Sequence, residues 1–342
     1  MGAEYMMRRV CDRVAAVMAG VLAWMTLAAN ATAQIGQPVD GQLGFQGAAS
    51  PVMEEISAFH DQVNVIIIAI AVFVLFLLLW VILRYNAKAN PEPSKFSHNT
   101  VLEVAWTVVP ILILVYIGIF SFKLLFLQYT YPKPDLTIKA TGNAWFWDHS
   151  YPDHDDFTVT STMIRDQDLL KEEMGEDAFD KKYGALEGLE LLKAVYNDAV
   201  PLYVKKGLVR QLSVDNEIAV PLNAVVHMLV TSADVIHSWT IPSFGSKTQA
   251  VPGRLTATWF KATRLGVYYG QCSVICGKHH SAMPVAIRVV PQADFDKWVV
   301  AAKAGDWKKA RTILLAATKS AKTEDKKTDG KKLAQAGTTV KN

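Results

Sequence analysis

Cysteine is scarce in this chain. Three occur in 342 residues, Cys11, Cys272 and Cys276, so any disulfide framework depends on which of them survive export. No CxxCH run is present, which excludes a fused c-type haem domain. Net charge is only +3, and nothing in it points to nucleic acid as a partner. No internal repeat is visible, which excludes a repeat array. Lysine and arginine are missing from residues 34–62, where Asp40, Glu54, Glu55 and Asp61 carry the charge.

What is abundant is apolar. Hydrophobic residues make up 51% of the chain, which leans toward a membrane protein. The start reads as a secretory signal. Arg8, Arg9 and Arg13 form a basic segment, residues 14–29 are apolar, and Ala31 and Ala33 place small side chains before a cut. The expectation is a signal peptide over residues 1–33, cleaved before Gln34; the other reading is a retained anchor. Cleavage removes Cys11 and leaves two cysteines.

Two apolar segments, residues 63–83 and 104–122, are about long enough to cross ~30 Å of hydrocarbon as helices. Pro110 lies in the second, where neighbouring helices can satisfy the backbone it frees. The expected organisation is an external segment 34–62 and a two-helix hairpin 63–127. The connector carries Arg84, Lys88 and Lys95 and is therefore expected on the cytoplasmic side. Lys123, Lys133 and Lys139 argue the other way, but the signal peptide delivers the N-terminus outside. Both termini are expected there.

From residue 128 to 300 the texture changes to short β-branched and aromatic runs separated by Gly, Pro, Asn and Asp. This predicts an antiparallel sandwich or barrel. Residues 165–207 break the pattern with charged, helical sequence, read as a solvated surface insertion. Residues 301–342 are rich in Lys, Ala and Thr and are expected to form a disordered or partly helical tail.

The chemistry gathers in "GQCSVICGKHHSAMP", residues 270–284. Cys272, Cys276, His280 and Met283 recur at steps of four, four and three. Thiolate and thioether are soft ligands that select copper over hard cations. His237, in "DVIHSW", supplies a distant imidazole, as a copper site on a β-sandwich requires. Two thiolates can bridge two coppers, each capped by one of His237 and His280, with Met283 and a backbone carbonyl as weak axial contacts. A disulfide between the two cysteines, a Cys2His2 zinc site and His279 in place of His280 stand as alternatives.

The motifs, in order, are "GFQGAASPVMEEISAFHD", "LEVAWTVVP", "GNAWFWD", "VDNEIAVP", "DVIHSW", "KTQAVPGR" and the cysteine loop. Together they resemble subunit II of bacterial haem–copper cytochrome c oxidases, over most of residues 44–298 outside the insertion. The resemblance implies a membrane α-hairpin followed by an all-β cupredoxin-like sandwich. It implies a dinuclear copper A centre on His237, Cys272, Cys276, His280, Met283 and the main-chain oxygen of Val274. Electrons from cytochrome c would enter at Trp145, with Trp147 a core aromatic. They would pass to subunit I, where oxygen is reduced to water, within an oxidoreductase and proton-translocating complex that also holds subunit III. Glu103 falls at the mouth of a proton channel into subunit I. Asp153, Asp155, Asp156, Asp215 and Asp234 are expected to dock the basic donor. The location implied is the bacterial inner membrane, with the sandwich periplasmic.

Three positions depart from the family pattern. Val274 replaces the usual Glu between the cysteines, Gln249 the usual Asp, and Ala144 the usual Gln before the first Trp. A valine carbonyl still reaches copper, but its side chain cannot bind Mg²⁺, so the interfacial magnesium is in question. A quinol oxidase subunit II lacks the copper ligands. Nitrous oxide reductase has a propeller and no hairpin. A membrane-anchored copper carrier needs an open, exchangeable site.

Overall fold

The computed structural model describes residues 36–92 and 94–317. The expected signal peptide, Cys11 and residues 318–342 of the expected tail lie outside the described residues.

Helix α1 runs Pro51–Arg84. Ser50 caps it: its Oγ accepts the Met53 amide at 3.0 Å, and Pro51 occupies the first turn, where no amide is needed. At 1.5 Å per residue the helix is about 50 Å long, so it begins well before the apolar run at residue 63. Its first turn belongs to the head of the molecule, where Val52 and Met53 are buried. Helix α2 runs Thr100–Tyr129, with the Asn99 side chain accepting the amides of Val101 and Leu102 and Pro110 inside the helix. The most apolar windows of α1 and α2 are 0% buried. Helices apolar all round and uncovered need lipid or other membrane helices against them.

The sandwich follows. Its strands are β1 (Leu136–Asn143), β2 (Phe146–Tyr151), β3 (Phe157–Ser161), β4 (Ile218–Pro221) and β5 (Val225–Ser232), then β6 (His237–Ile241), β7 (Ser246–Ala250), β8 (Thr256–Lys261), β9 (Gly266–Gln271) and β10 (Pro284–Val290). One sheet has the order β3-β2-β1-β5-β8, a second β4-β10-β9, and β6-β7 form a ribbon. Burial alternates along β5, with Val226, Met228 and Val230 turned inward, as a period of two demands. Between the layers lie Trp147, Trp239, Phe244, Phe260 and Tyr268, all fully buried.

The pairing is not antiparallel throughout, as the strand texture predicted. β1 pairs with β5 in parallel, and β10 with β4. Parallel neighbours need a long crossover. Both pairs have one: β2, β3, the insertion and β4 separate β1 from β5, and five strands separate β4 from β10.

The insertion is three helices, α3 (Asp166–Met174), α4 (Glu176–Tyr183) and α5 (Gly188–Lys206). It is more than a solvated excursion, because Leu169, Leu170, Phe179, Tyr183, Val195, Ala199 and Tyr203 form a small core of their own. The Arg210–Asp166 ion pair at 2.8 Å ties it to the returning chain.

Over its first part the expected tail is helical and packed, not disordered. Helix α6 (Gln292–Lys303) is followed by a further helix over residues 307–317. Ala310, Leu314 and Ala317 recur at helical spacing and are buried in the main core. Small alanines were enough to seat this helix, although they add little to a count of large apolar residues.

Head and hairpin are joined at both helices. Ser50 Oγ donates to Phe244 O at 2.7 Å and Ala49 N to Ser243 O at 2.9 Å. At the end of α2, Trp259 Nε1 donates to Gln128 O at 3.1 Å, Tyr131 Oη to Ala257 O at 2.8 Å, and His227 Nε2 to Pro132 O at 2.8 Å.

Candidate metal centre

Strand β6 opens on His237, and the cysteine loop leaves the end of β9. The two strands are pressed together at Gly270, where a Cβ would lie 1.6 Å from Thr240 O. Only glycine permits that approach. Ser273 N then donates to Ser238 O at 3.3 Å, and Cys272 N to Met283 O at 3.0 Å, which pins the start of the loop to its end.

This brings distant residues to one point. A ring nitrogen of His237, Cys272 Sγ and Cys276 Sγ lie within 4.8 Å of one another, and all three residues are buried. The sulfurs are 3.8 Å apart, well beyond the ~2.05 Å of a disulfide, and both cysteines are free. Cys272 Sγ is 4.0 Å from His237 Nδ1, and Cys276 Sγ is 3.5 Å from His280 Nδ1. The Cys272 thiol donates to Val274 O at 3.2 Å. Met283 is 1% exposed.

The donor set fits a soft metal. Two sulfurs at this separation can share an ion at the ~2.3 Å of a thiolate–metal bond, and an imidazole stands beside each. Burial, then the neighbouring Cys272 sulfur, push the Cys276 thiol up to about 12. Metal binding must therefore displace protons, and a cation between the sulfurs supplies the charge that makes this favourable. His280, not His279, faces the sulfurs.

Asp234 does more than the sequence suggested. Its Oδ1 accepts from His237 Nε2 at 2.8 Å, which leaves the Nδ1 lone pair free toward the sulfurs. Its Oδ2 accepts the Ala144 amide at 2.7 Å, fixing the turn that presents Trp145. Burial works to raise the Asp234 carboxyl, but the bonds from His237, Val235 N and Ala144 N outweigh it and hold it below its ordinary value. The available signal was an aspartate three residues before a ligand histidine.

Trp145 is half-buried, and its Nε1 donates to Cys276 O at 3.3 Å. Trp147 is fully buried, edge-on to His237 at 6.0 Å between centroids. Behind it His149 is also fully buried, with Nε2 accepting from Trp239 Nε1 at 3.4 Å. Burial lowers the His149 pKa to about 3, so it is neutral. Glu103 lies in the first turn of α2, far along the chain from the sulfurs.

The five acidic residues expected to dock the donor are spread between the two ends of β2. Asp153, Asp155 and Asp156 follow the end of β2, while Trp145 precedes its start. Six residues of strand separate the two ends by roughly 20 Å. Asp153 Oδ2 accepts the Thr137 amide at 2.6 Å, and Asp155 pairs with Lys303. Asp215 accepts the Thr162 amide at 2.8 Å, beside Ser161, which pairs with Trp147. Asp215 and Asp234 are therefore at the Trp145 end.

Comparison with known proteins gives a consistent picture. The family described as cytochrome c oxidase subunit II, periplasmic domain, matches residues 136–184 and 194–290. Its transmembrane domain matches residues 38–124. A probable cytochrome c oxidase subunit 2 of Rickettsia bellii is 44% identical over 263 residues, covering 77% of this chain and 85% of that one. The cytochrome c oxidase subunit 2 of Cereibacter sphaeroides is 38% identical over 295 residues, 84% of this chain and 90% of that one. Among solved structures, the periplasmic domain of subunit II of cytochrome oxidase of Bradyrhizobium japonicum is 40% identical, covering 52% of this chain and 99% of that one, with a TM-score of 0.38.

Proposed function

Because the chain belongs to the cytochrome c oxidase subunit II family, a membrane protein family with a periplasmic domain, we propose that it accepts electrons from a cytochrome c at a dinuclear copper A centre. It passes them to haem and copper in subunit I, in a complex that includes subunit III, in the bacterial inner membrane. The observation that carries this reading is the buried meeting of the His237 imidazole with two free sulfurs 3.8 Å apart. His237, Cys272, Cys276 and His280 would hold the metal, with Met283 and the Val274 carbonyl as further donors. When bound, a copper pair would supply a one-electron carrier whose charge change is spread over two ions.

The protein's own residues do the rest. Asp234 orients His237 and fixes the turn before Trp145. The Trp145 indole, bonded to the Cys276 carbonyl, gives electrons a short connected path from the surface to a sulfur ligand. Asp215 and Asp234 supply negative charge at that end, with Asp153, Asp155 and Asp156 further out, at the other end of β2. Glu103, at the connector end of α2, stands at the mouth of a proton route; Glu103→Gln is expected to slow proton uptake several-fold while leaving copper content unchanged.

The interfacial magnesium does not fit. Val274 offers no carboxylate, and Gln249 uses its backbone oxygen to accept Thr256 Oγ1 at 2.6 Å. Metal analysis and electron paramagnetic resonance of the purified complex test both points. Two coppers per chain sharing one unpaired electron, abolished by Cys272→Ser, are expected. Zinc, or a Cys272–Cys276 disulfide, would overturn the copper reading, and stoichiometric tightly held Mg or Mn would overturn the magnesium one.

A further inference from the structure

The loop that carries the sulfurs also grips Trp145, and one member of that grip has no place in the metal set. Trp145 Nε1 is bonded to Cys276 O at 3.3 Å. Gly277 sits at φ +121°, and a Cβ there would lie 3.2 Å from Trp145 Cζ2, so the bare backbone runs flush against the indole. His279 covers another side. Its ring stands 4.7 Å from the indole, centroid to centroid, at 85°, the edge-to-face arrangement in which aromatic rings attract.

We propose that His279 is a positioning residue for electron transfer: its ring holds the Trp145 indole on the Cys276 carbonyl and keeps the path to the sulfur closed. The inference rests on Trp145 being the point where electrons arrive. His279 is exposed, whereas His280 is half-buried with its Nδ1 facing Cys276. The two adjacent histidines therefore divide the work, one toward the metal and one toward the aromatic ring. An exposed histidine is ordinarily a solvated side chain; this one lies edge-on to a ring whose inner side packs on the core and whose Nε1 is bonded to Cys276 O. The contact needs the shape of an aromatic ring and no charge, so phenylalanine should serve in its place.

The test uses the purified membrane complex carrying His279→Ala, His279→Phe, Trp145→Phe and the Trp145→Phe/His279→Ala pair. Copper content, paramagnetic resonance spectrum and the rate of reduction by cytochrome c are measured. His279→Ala is expected to keep its copper and its spectrum and to lose rate by about 2- to 10-fold, the weight of one aromatic contact, with KM for the donor unchanged. His279→Phe is expected to recover most of that loss. In the Trp145→Phe background, His279→Ala should add nothing. The proposal is overturned by a wild-type rate in His279→Ala, by loss of copper from it, or by His279→Phe being as slow as His279→Ala. A wild-type rate in Trp145→Phe is a different failure: it removes the role of Trp145 and the inference with it.

Discussion

Asp234 divides its two carboxylate oxygens between His237 and the Ala144 amide. An asparagine can still accept from one of them, but its NH2 group then faces the other donor. Asp234→Asn is therefore expected to weaken copper binding by about 10- to 100-fold, the usual effect of losing a partner behind a ligand histidine. Competition with a copper chelator would read it, and unchanged retention would show that His237 holds its orientation without help. His149 sets a different dependence. Its pKa falls from an ordinary 6.5 to about 3 in the fold, so the unfolded chain takes up a proton that the folded one refuses. The stabilisation from keeping it neutral is full above pH ~6.5 and is lost as pH falls toward 3. Melting temperatures across that window should fall less steeply in His149→Gln, and an unchanged slope would assign acid sensitivity to other groups. Only the Asp234–His237 bond, at a spacing of three, left a trace in the sequence; the Asp234–Ala144 and His149–Trp239 contacts each join residues ninety positions apart.

At the level of elements, the site is made by the closeness of β6 and β9. Gly270→Ala forces a methyl group into Thr240 O, and the strands must separate. The expected result is a chain that still inserts its hairpin but loses copper and melts several degrees lower; retention of full copper would show that the strands can part without disturbing His237. The membrane helices were legible because each is a continuous apolar run, needing no knowledge of partners. The metal loop was legible because its ligands repeat within a dozen residues. The parallel pairs β1–β5 and β4–β10 were not, since alternation reveals a strand but not its neighbour. The docking of the helix over residues 307–317 into the core was not, because its buried stripe, Ala310, Leu314 and Ala317, is mostly alanine.

Across the whole molecule, charge is read differently once the chain is folded. Five aspartates that look alike in sequence separate into two groups at opposite ends of β2, and only Asp215 and Asp234 accompany Trp145. Several of the five are occupied in holding backbone amides or a lysine, which no composition argument reveals. The insertion, with its own small core, is an appendage of the head and adds nothing to the cluster of sulfurs. The head itself is stitched to both legs of the hairpin, through Ser50 on one side and Trp259, Tyr131 and His227 on the other. A body anchored at two separate points has no swivel. Its compass bearing is inherited from the bilayer, and in a stack of flattened membranes every molecule would hold the sulfurs of Cys272 and Cys276 at one common angle to the plane.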